Sequence, residues 1–160
     1  MQWISVPSPI GSLGVSADLG EITGVHFGGV GRNPVADHPQ PVLVEARAQL
    51  GAYFQGELTD FAVALAPPSG TDFEKQVWKV IASVPFGEMI TYGEIAKLRG
   101  DAEAARAVGT ACNHNPVPVI VPCHRVVGAG GKLVGFGGGL DRKRFLLQLE
   151  ARVQIERSFL

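Results

Sequence analysis

Thr91-Tyr92-Gly93-Glu94-Ile95-Ala96-Lys97-Leu98-Arg99-Gly100-Asp101-Ala102-Glu103-Ala104-Ala105-Arg106-Ala107-Val108-Gly109-Thr110-Ala111-Cys112 carries two short helical signals back to back. Thr91 and Glu94 have capping-box spacing, so a helix is expected to open there and run through Leu98. Arg99-Gly100-Asp101 breaks it. Ala102–Cys112 is alanine-rich and is expected to be helical again. Two short helices around a glycine-containing turn fit a helix-turn-helix. Such a pattern is common by chance, so by itself it admits a DNA-binding element and a plain helical pair.

Upstream, Thr71-Asp72-Phe73-Glu74 is a second capping box. Phe73, Val77, Val80, Ile81 and Val84 keep one helix face apolar until Pro85 and Gly87 end it. Pro67-Pro68-Ser69-Gly70 reads as a linker, because Pro-Pro cannot continue a strand ladder. Before it, Trp3–Val6 is expected to be an edge strand. Leu13–Ala17 and Ile22–Phe27 are expected strands joined by a turn at Asp18-Leu19-Gly20. Gly28–Pro41 reads as loop. Val42–Phe54 has helical spacing in Leu43, Ala46, Leu50 and Phe54. Phe61, Val63 and Leu65 alternate as a further strand. This half shows no nameable chemistry.

Downstream, Asn113–Pro118 cannot be helix interior. Val119-Ile120-Val121 reads as a short buried strand, Gly128–Gly131 as a turn and Gly135–Gly139 as a loop. Asp141 is expected to cap a last helix running to about Ala151. Arg142, Lys143 and Arg144 lie in its first turns, where the helix dipole disfavours cations, which fits a surface kept for an anion. The expected fold class is α/β, more narrowly α+β. Residues 1–66 form a small strand-and-helix domain and 67–70 a linker. Residues 71–160 form a mostly helical domain with a helix-turn-helix and a short strand pair.

Composition narrows the class. The chain has 160 residues and 46% hydrophobic residues, enough for a core. No apolar run approaches the roughly 20 residues of a membrane span. The N-terminus lacks a signal-peptide layout, and a cytoplasmic protein is expected. Two cysteines, Cys112 and Cys123, make no disulfide framework and are expected to be thiols. The net charge of −1 conceals an asymmetry: two arginines against six acids in residues 1–70, twelve basic groups against nine acids in 71–160. A basic half facing a polyanion explains this, and so does scatter among surface charges.

The candidate nucleophile is Cys123. Pro122 removes a backbone donor before it and ends the strand, placing the thiol at a strand-to-loop break where ligands reach. The thiolate is the reactive form, and an imidazole can take its proton. His124 is adjacent in sequence, but neighbouring side chains in extended backbone point to opposite faces. A sharp turn or a bridging water is therefore needed. A buried cysteine beside a surface histidine is the plainer alternative. Cys123, His124, Cys112 and His114 do not have zinc spacing, and no metal or cofactor is expected. Cys112 reads as small core filler, and His26 and His38 as partnerless histidines.

Asn115-Pro116-Val117-Pro118-Val119-Ile120-Val121-Pro122-Cys123-His124-Arg125-Val126 resembles the active-site signature of the O6-alkylguanine-DNA alkyltransferases. Ala104-Ala105-Arg106-Ala107-Val108-Gly109 resembles that family's DNA-recognition helix, and Thr91–Ala96 the helix before it. Gly138-Gly139-Leu140 and the helix ending at Glu150 match in order and spacing. The resemblance covers about Thr71–Glu150. In the first half it is limited to length, strand-helix order and Phe54-Gln55-Gly56-Glu57.

The resemblance implies alkyl transfer from O6 of guanine in duplex DNA to Cys123, with one turnover per molecule. It implies that His124 acts as base through a water and that Glu150, 27 positions after Cys123, orients the imidazole. It implies that Asn115 holds the cysteine segment and that Tyr92 presses on a DNA phosphate and supplies a proton or hydrogen bond to the departing guanine. Gly93 falls on the same DNA-binding surface. Arg106 would enter the duplex in place of an extruded nucleotide, with Ala105, Ala107 and Gly109 keeping the helix face small enough for the minor groove. Pro118, Val126, Phe136 and Gly137 would line the base pocket. Gly137 stands where several relatives have a small hydroxyl residue, Phe136 lacks a tyrosine hydroxyl often found there, and Leu149 replaces a frequent histidine.

The base must leave the stack to be reached, which costs a few kcal/mol. A soft thiolate displacing a guanine oxygen needs a base on one side and an acid on the other. The expected partner is double-stranded DNA carrying an alkylated guanine, with no membrane. A monomer is expected, and cooperation along DNA stays open. Three rivals remain. They are a helix-turn-helix regulator, a non-reactive alkyl-lesion sensor, and a thiol hydrolase with turnover.

Overall fold

The alternating apolar residues of the N-terminal third pair into a sheet. Strands β1 (Gln2–Val6), β2 (Leu13–Asp18) and β3 (Glu21–Phe27) are antiparallel in the order β1-β2-β3. Ile4 lies opposite Val15, and Val15 opposite Val25, so one face of the sheet is apolar. Leu19 and Gly20 make the hairpin turn with positive φ angles of 50° and 82°, the primed geometry that suits twisted strands. Helix α1 (Pro41–Phe54) starts with proline in its first turn, where no amide donor is needed, and buries Leu43, Ala46, Leu50 and Tyr53.

The computed structural model describes residues 1–159. The chain divides into two compact units. One is Met1–Pro68 with Pro116–Ile120, the other Ser69–Asn115 with Val121–Leu160. Segment 116–120, assigned from sequence to the second domain, thus belongs to the first unit, where the Val25 amide donates to the Pro116 carbonyl at 3.0 Å.

In the second unit both capping boxes are formed. Thr71 caps α2 (Asp72–Ala82) and Thr91 caps α3 (Tyr92–Leu98), each with reciprocal bonds to Glu74 or Glu94. Helix α4 (Ala105–Asn113) packs against both, and the Trp78 indole donates to the Ala111 carbonyl at 2.7 Å. Strands β4 (Ile90–Thr91) and β5 (Val126–Val127) pair in parallel, Ile90 with Val126. This two-residue ladder ties the start of α3 to the end of the cysteine segment. Helix α5 (Leu140–Ser158) closes the unit. No helix among the described residues is long and apolar enough to cross a membrane.

Four local expectations are corrected. Phe61–Leu65 is not a strand; a single bridge joins Leu65 to Ile22 before Pro67-Pro68 ends the pairing. Val119–Val121 is not a strand: Val119 and Ile120 form a turn, with Val119 at φ 73°, and Val121 makes only an isolated bridge, because the prolines at 116, 118 and 122 leave the segment short of ladder donors. Helix α4 begins at Ala105 and not Ala102: the Asp101 side chain accepts from the Glu103 amide at 3.0 Å and holds a turn there. Asp141 does not cap α5, whose N-cap is Gly139 at φ 88°; the helix also passes Ala151 because Val153 continues its buried face.

The Trp78 bond should be measurable. Trp78→Phe removes the indole donor and part of the ring's bulk while the Ala111 carbonyl keeps its bond from the His114 amide, so unfolding should cost about 1–2 kcal/mol less. An unchanged denaturation midpoint would remove this bond from the forces that place α4.

Candidate active site

Pro122 ends the turn, and Cys123–Arg125 coils into one 3-10 turn before β5. This is the sharp bend that neighbouring cysteine and histidine side chains need to serve one site. Cys123 is 4% exposed, His124 0% and Glu150 1%. The His124 Nε2 lies 2.6 Å from Glu150 Oε2. Arg125 Nε donates to Glu150 Oε1 at 2.8 Å and Nη2 to Oε2 at 3.1 Å, while the Gly87 amide donates at 3.2 Å. Arg125 also donates to the Val84 carbonyl at 2.6 Å and lies over the Phe86 ring.

The charge states follow from this geometry. Burial pushes the Glu150 carboxyl up, but the hydrogen bonds and charges of His124 and Arg125 outweigh that and hold it at about 2. Burial pulls His124 down, with the Glu150 hydrogen bond and charge opposing. A neutral imidazole beside an ionised carboxylate donates from Nε2, which leaves Nδ1 with its lone pair free. Nδ1 is buried and makes no hydrogen bond. It is therefore a proton acceptor one residue from the thiol.

Cys123 is a thiol that resists ionisation. Burial pushes it up to about 11, against a hydrogen bond from Asn115 and the charge of Lys143. Asn115 Nδ2 also donates to the Val121 carbonyl at 2.8 Å, closing the neck where segment 116–120 leaves and returns. Tyr92, the first residue of α3, is held up at about 12 by burial, with the two thiols adding to the effect. Its hydroxyl donates to the Val134 carbonyl at 3.0 Å and accepts from Lys143 Nζ at 3.2 Å.

The structure brings together Cys123, His124, Glu150, Asn115 and Tyr92 in the second unit. Val126 is buried there and Phe136 packs on the same apolar cluster as Cys123 and Cys112. Gly137 is exposed, and Pro118 lies buried in the first unit. On α4, Arg106 and Ala107 are exposed and Ala105 and Gly109 half-buried. Gly93 is half-buried at the start of α3. Two residues escaped the sequence reading. Arg125 stood inside the motif without a role. Lys143 was grouped with Arg142 and Arg144 as surface charge, yet it is 0% exposed. The signal was present: Lys143, Leu146 and Glu150 fall on one face of α5.

Residues 72–152 match the family model of the 6-O-methylguanine DNA methyltransferase DNA-binding domain, and residues 1–67 that of its ribonuclease-like domain. The chain belongs to the 6-O-methylguanine DNA methyltransferase family. It is 48% identical to the methylated-DNA–protein-cysteine methyltransferase of Mycobacterium tuberculosis, over 91% of this chain and 90% of that one. Identity to the Methanosarcina acetivorans protein of the same name is also 48%, over 94% and 98%. The crystal structure of Mycobacterium tuberculosis OGT in complex with DNA superposes with a TM-score of 0.85 at 46% identity, covering 96% of this chain and 94% of that one. This methyltransferase binds DNA and repairs it by moving an alkyl group from O6 of guanine to a cysteine.

The Glu150 network predicts an acid limb. Its depressed carboxyl contributes stability that is complete above the ordinary value of 4.5 and is lost as pH falls toward about 2. Glu150→Gln should flatten that limb in thermal melts and, with a buried Arg125 left short of its partner, destabilise by about 3 kcal/mol at neutral pH. An unchanged acid limb in the variant would mean the carboxylate is not the group that titrates.

Proposed function

We propose that Cys123 is the alkyl acceptor and that methylated or otherwise alkylated guanine, swung out of duplex DNA, is the substrate. The observation that carries this is the lone pair of His124 Nδ1, buried, unbonded and one residue from the thiol. In the reaction the Cys123 proton passes through a water to His124 Nδ1, whose imidazolium Glu150 stabilises. The sulfur forms a bond to the alkyl carbon as the carbon–oxygen bond breaks. The departing guanine takes up a proton, for which the Tyr92 hydroxyl is the donor. The product is a thioether, and nothing in the site is equipped to attack it, so each molecule acts once.

Arg106 stands exposed on α4 between Ala105 and Ala107. Small neighbours allow a helix to approach the minor groove, and the guanidinium fills the gap left by the flipped nucleotide. The protein distinguishes itself from a regulator or a sensor by the thiol and base, and from a hydrolase by stoichiometry.

Incubation with duplex DNA carrying O6-methylguanine, followed by intact mass, should show one added methyl per chain, and none for Cys123→Ser. Repeated turnover, or methyl gain in Cys123→Ser, would refute the assignment. Arg106→Ala should slow repair of the duplex by at least ~10-fold, equivalent to about 1.4 kcal/mol of lost flipping support, and leave reaction with free O6-benzylguanine nearly unchanged. Equal slowing of both would take Arg106 out of the duplex.

A further inference from the structure

Arg142 stands in the first turn of α5, where the helix dipole disfavours a cation. Its neighbour Arg144 is paired with Asp141. Arg142 is half-buried, and its guanidinium reaches back past the start of the helix. There Nη1 donates to the Gly138 carbonyl at 3.0 Å.

The segment that receives this bond is poorly equipped to hold itself. Four of the five residues Gly135–Gly139 are glycine, which loses more backbone freedom on ordering than any other residue. Gly135 and Gly139, its two ends, sit at φ 64° and 88°. A backbone bond from the Gly139 amide to the Phe136 carbonyl closes a turn at 2.9 Å. Inside that turn Gly138 is buried, while Gly137 and Gly139 are exposed. A buried carbonyl needs a donor, and no strand among the described residues pairs with this loop to give one. The Arg142 guanidinium is that donor, and its charge makes the bond a strong one. The ends are held separately, the Gly135 carbonyl by Lys143 Nζ at 3.1 Å and the Gly139 carbonyl by the Lys143 amide at 3.2 Å. Phe136 is the one side chain in the loop, and it packs on the cluster that contains Cys123. The bond that fixes Gly138 therefore also sets where Phe136 and Gly137 lie.

Resting on the assignment of Cys123 as acceptor, with Phe136 and Gly137 as walls of the base pocket, we infer that Arg142 is a positioning residue of the transfer. Its bond to the Gly138 carbonyl keeps the glycine turn closed as a pocket wall before any base enters. A loop left open would have to be ordered by the substrate, and the ordering cost would be subtracted from binding. In this role Arg142 acts on the capture of the extruded base and leaves the thiol chemistry to the 3-10 turn.

The test reads loop order, base capture and thiol reactivity separately. In the unaltered protein, hydrogen exchange followed by NMR should find the Gly139 amide slower than that of Gly137. Arg142→Met, with folding checked by melting, removes the donor and keeps the length of the side chain. Exchange at Gly139 should then speed up by ~10-fold, and the concentration of free O6-benzylguanine that half-saturates benzylation of Cys123 should rise by a similar factor. The limiting rate of benzylation, and carbamidomethylation of Cys123 by iodoacetamide, should stay near wild type. Arg142→Lys, which keeps a charged donor, should recover most of both losses. An unmoved half-saturation in a folded Arg142→Met overturns the inference. An equal fall in its iodoacetamide reaction does so too, because the damage would then lie at the acceptor turn, and so does a lysine variant no better than the methionine one. If Arg142→Met does not fold, a Gly139 amide that exchanges as fast as that of Gly137 in the unaltered protein still overturns it. That exchange is read without substrate, and the intact-mass assay reads methyl transfer without it, so the two readings fall separately.

Discussion

A single carboxylate, that of Glu150, carries the local architecture of the site. It is 1% exposed and accepts from an imidazole, from two guanidinium nitrogens and from the Gly87 amide. A buried carboxylate with fewer donors would be expensive, and with these its charged form is the stable one. The consequences run outward through His124 and Arg125, which complete the turn that begins at Cys123. Because the carboxylate keeps its charge, the imidazole must direct Nε2–H toward it, and Nδ1 is left basic. Arg125, tied to α5 by Glu150 and to the end of the α2 region by the Val84 carbonyl, fixes the far end of the same turn.

Much of the fold was legible because it rests on local chemistry. Thr71 with Glu74 and Thr91 with Glu94 announce two helix starts that satisfy orphan amides within four residues. The three strands show themselves in alternating apolar residues. What stayed hidden depends on prolines that override apolar composition and on pairing partners far away in sequence. The apolar triplet ending at Val121 has strand composition, yet its surrounding prolines and Val119 at φ 73° make a turn. Phe61 to Leu65 alternates as a strand does, but with Leu65 making the only bridge to Ile22 it cannot form a ladder.

The site divides in the same way. Cys123 and His124 stood out by their own context, Asn115, Tyr92 and Glu150 were named through resemblance, and the structure shows how helix, 3-10 turn and α5 bring them near one another. Lys143 was misplaced because three cations in a row look like solvated surface, and only the face shared with Leu146 and Glu150 separates the middle one from its neighbours. Arg144 stays outward, paired with Asp141, and Arg142 is half-buried with its guanidinium bonded to the Gly138 carbonyl. Charge runs on a helix need reading by face before they are read by sum.

Burial and reactivity pull in opposite directions at Cys123. A protein that acts once cannot let its sulfur react with any soft electrophile it meets, and desolvation, which lifts the thiol to about 11, keeps it in the unreactive form at rest. The same desolvation would block the repair reaction if nothing countered it. The counterweights are buried: a neutral imidazole for the proton and an amide from Asn115. None of them has to reorganise when the sulfur ionises, so their stabilisation is spent on the transferring state. With Cys123 as the proposed acceptor, selectivity comes from access, because only a base extruded from its helix presents its alkyl carbon to a thiol that is ready but protonated.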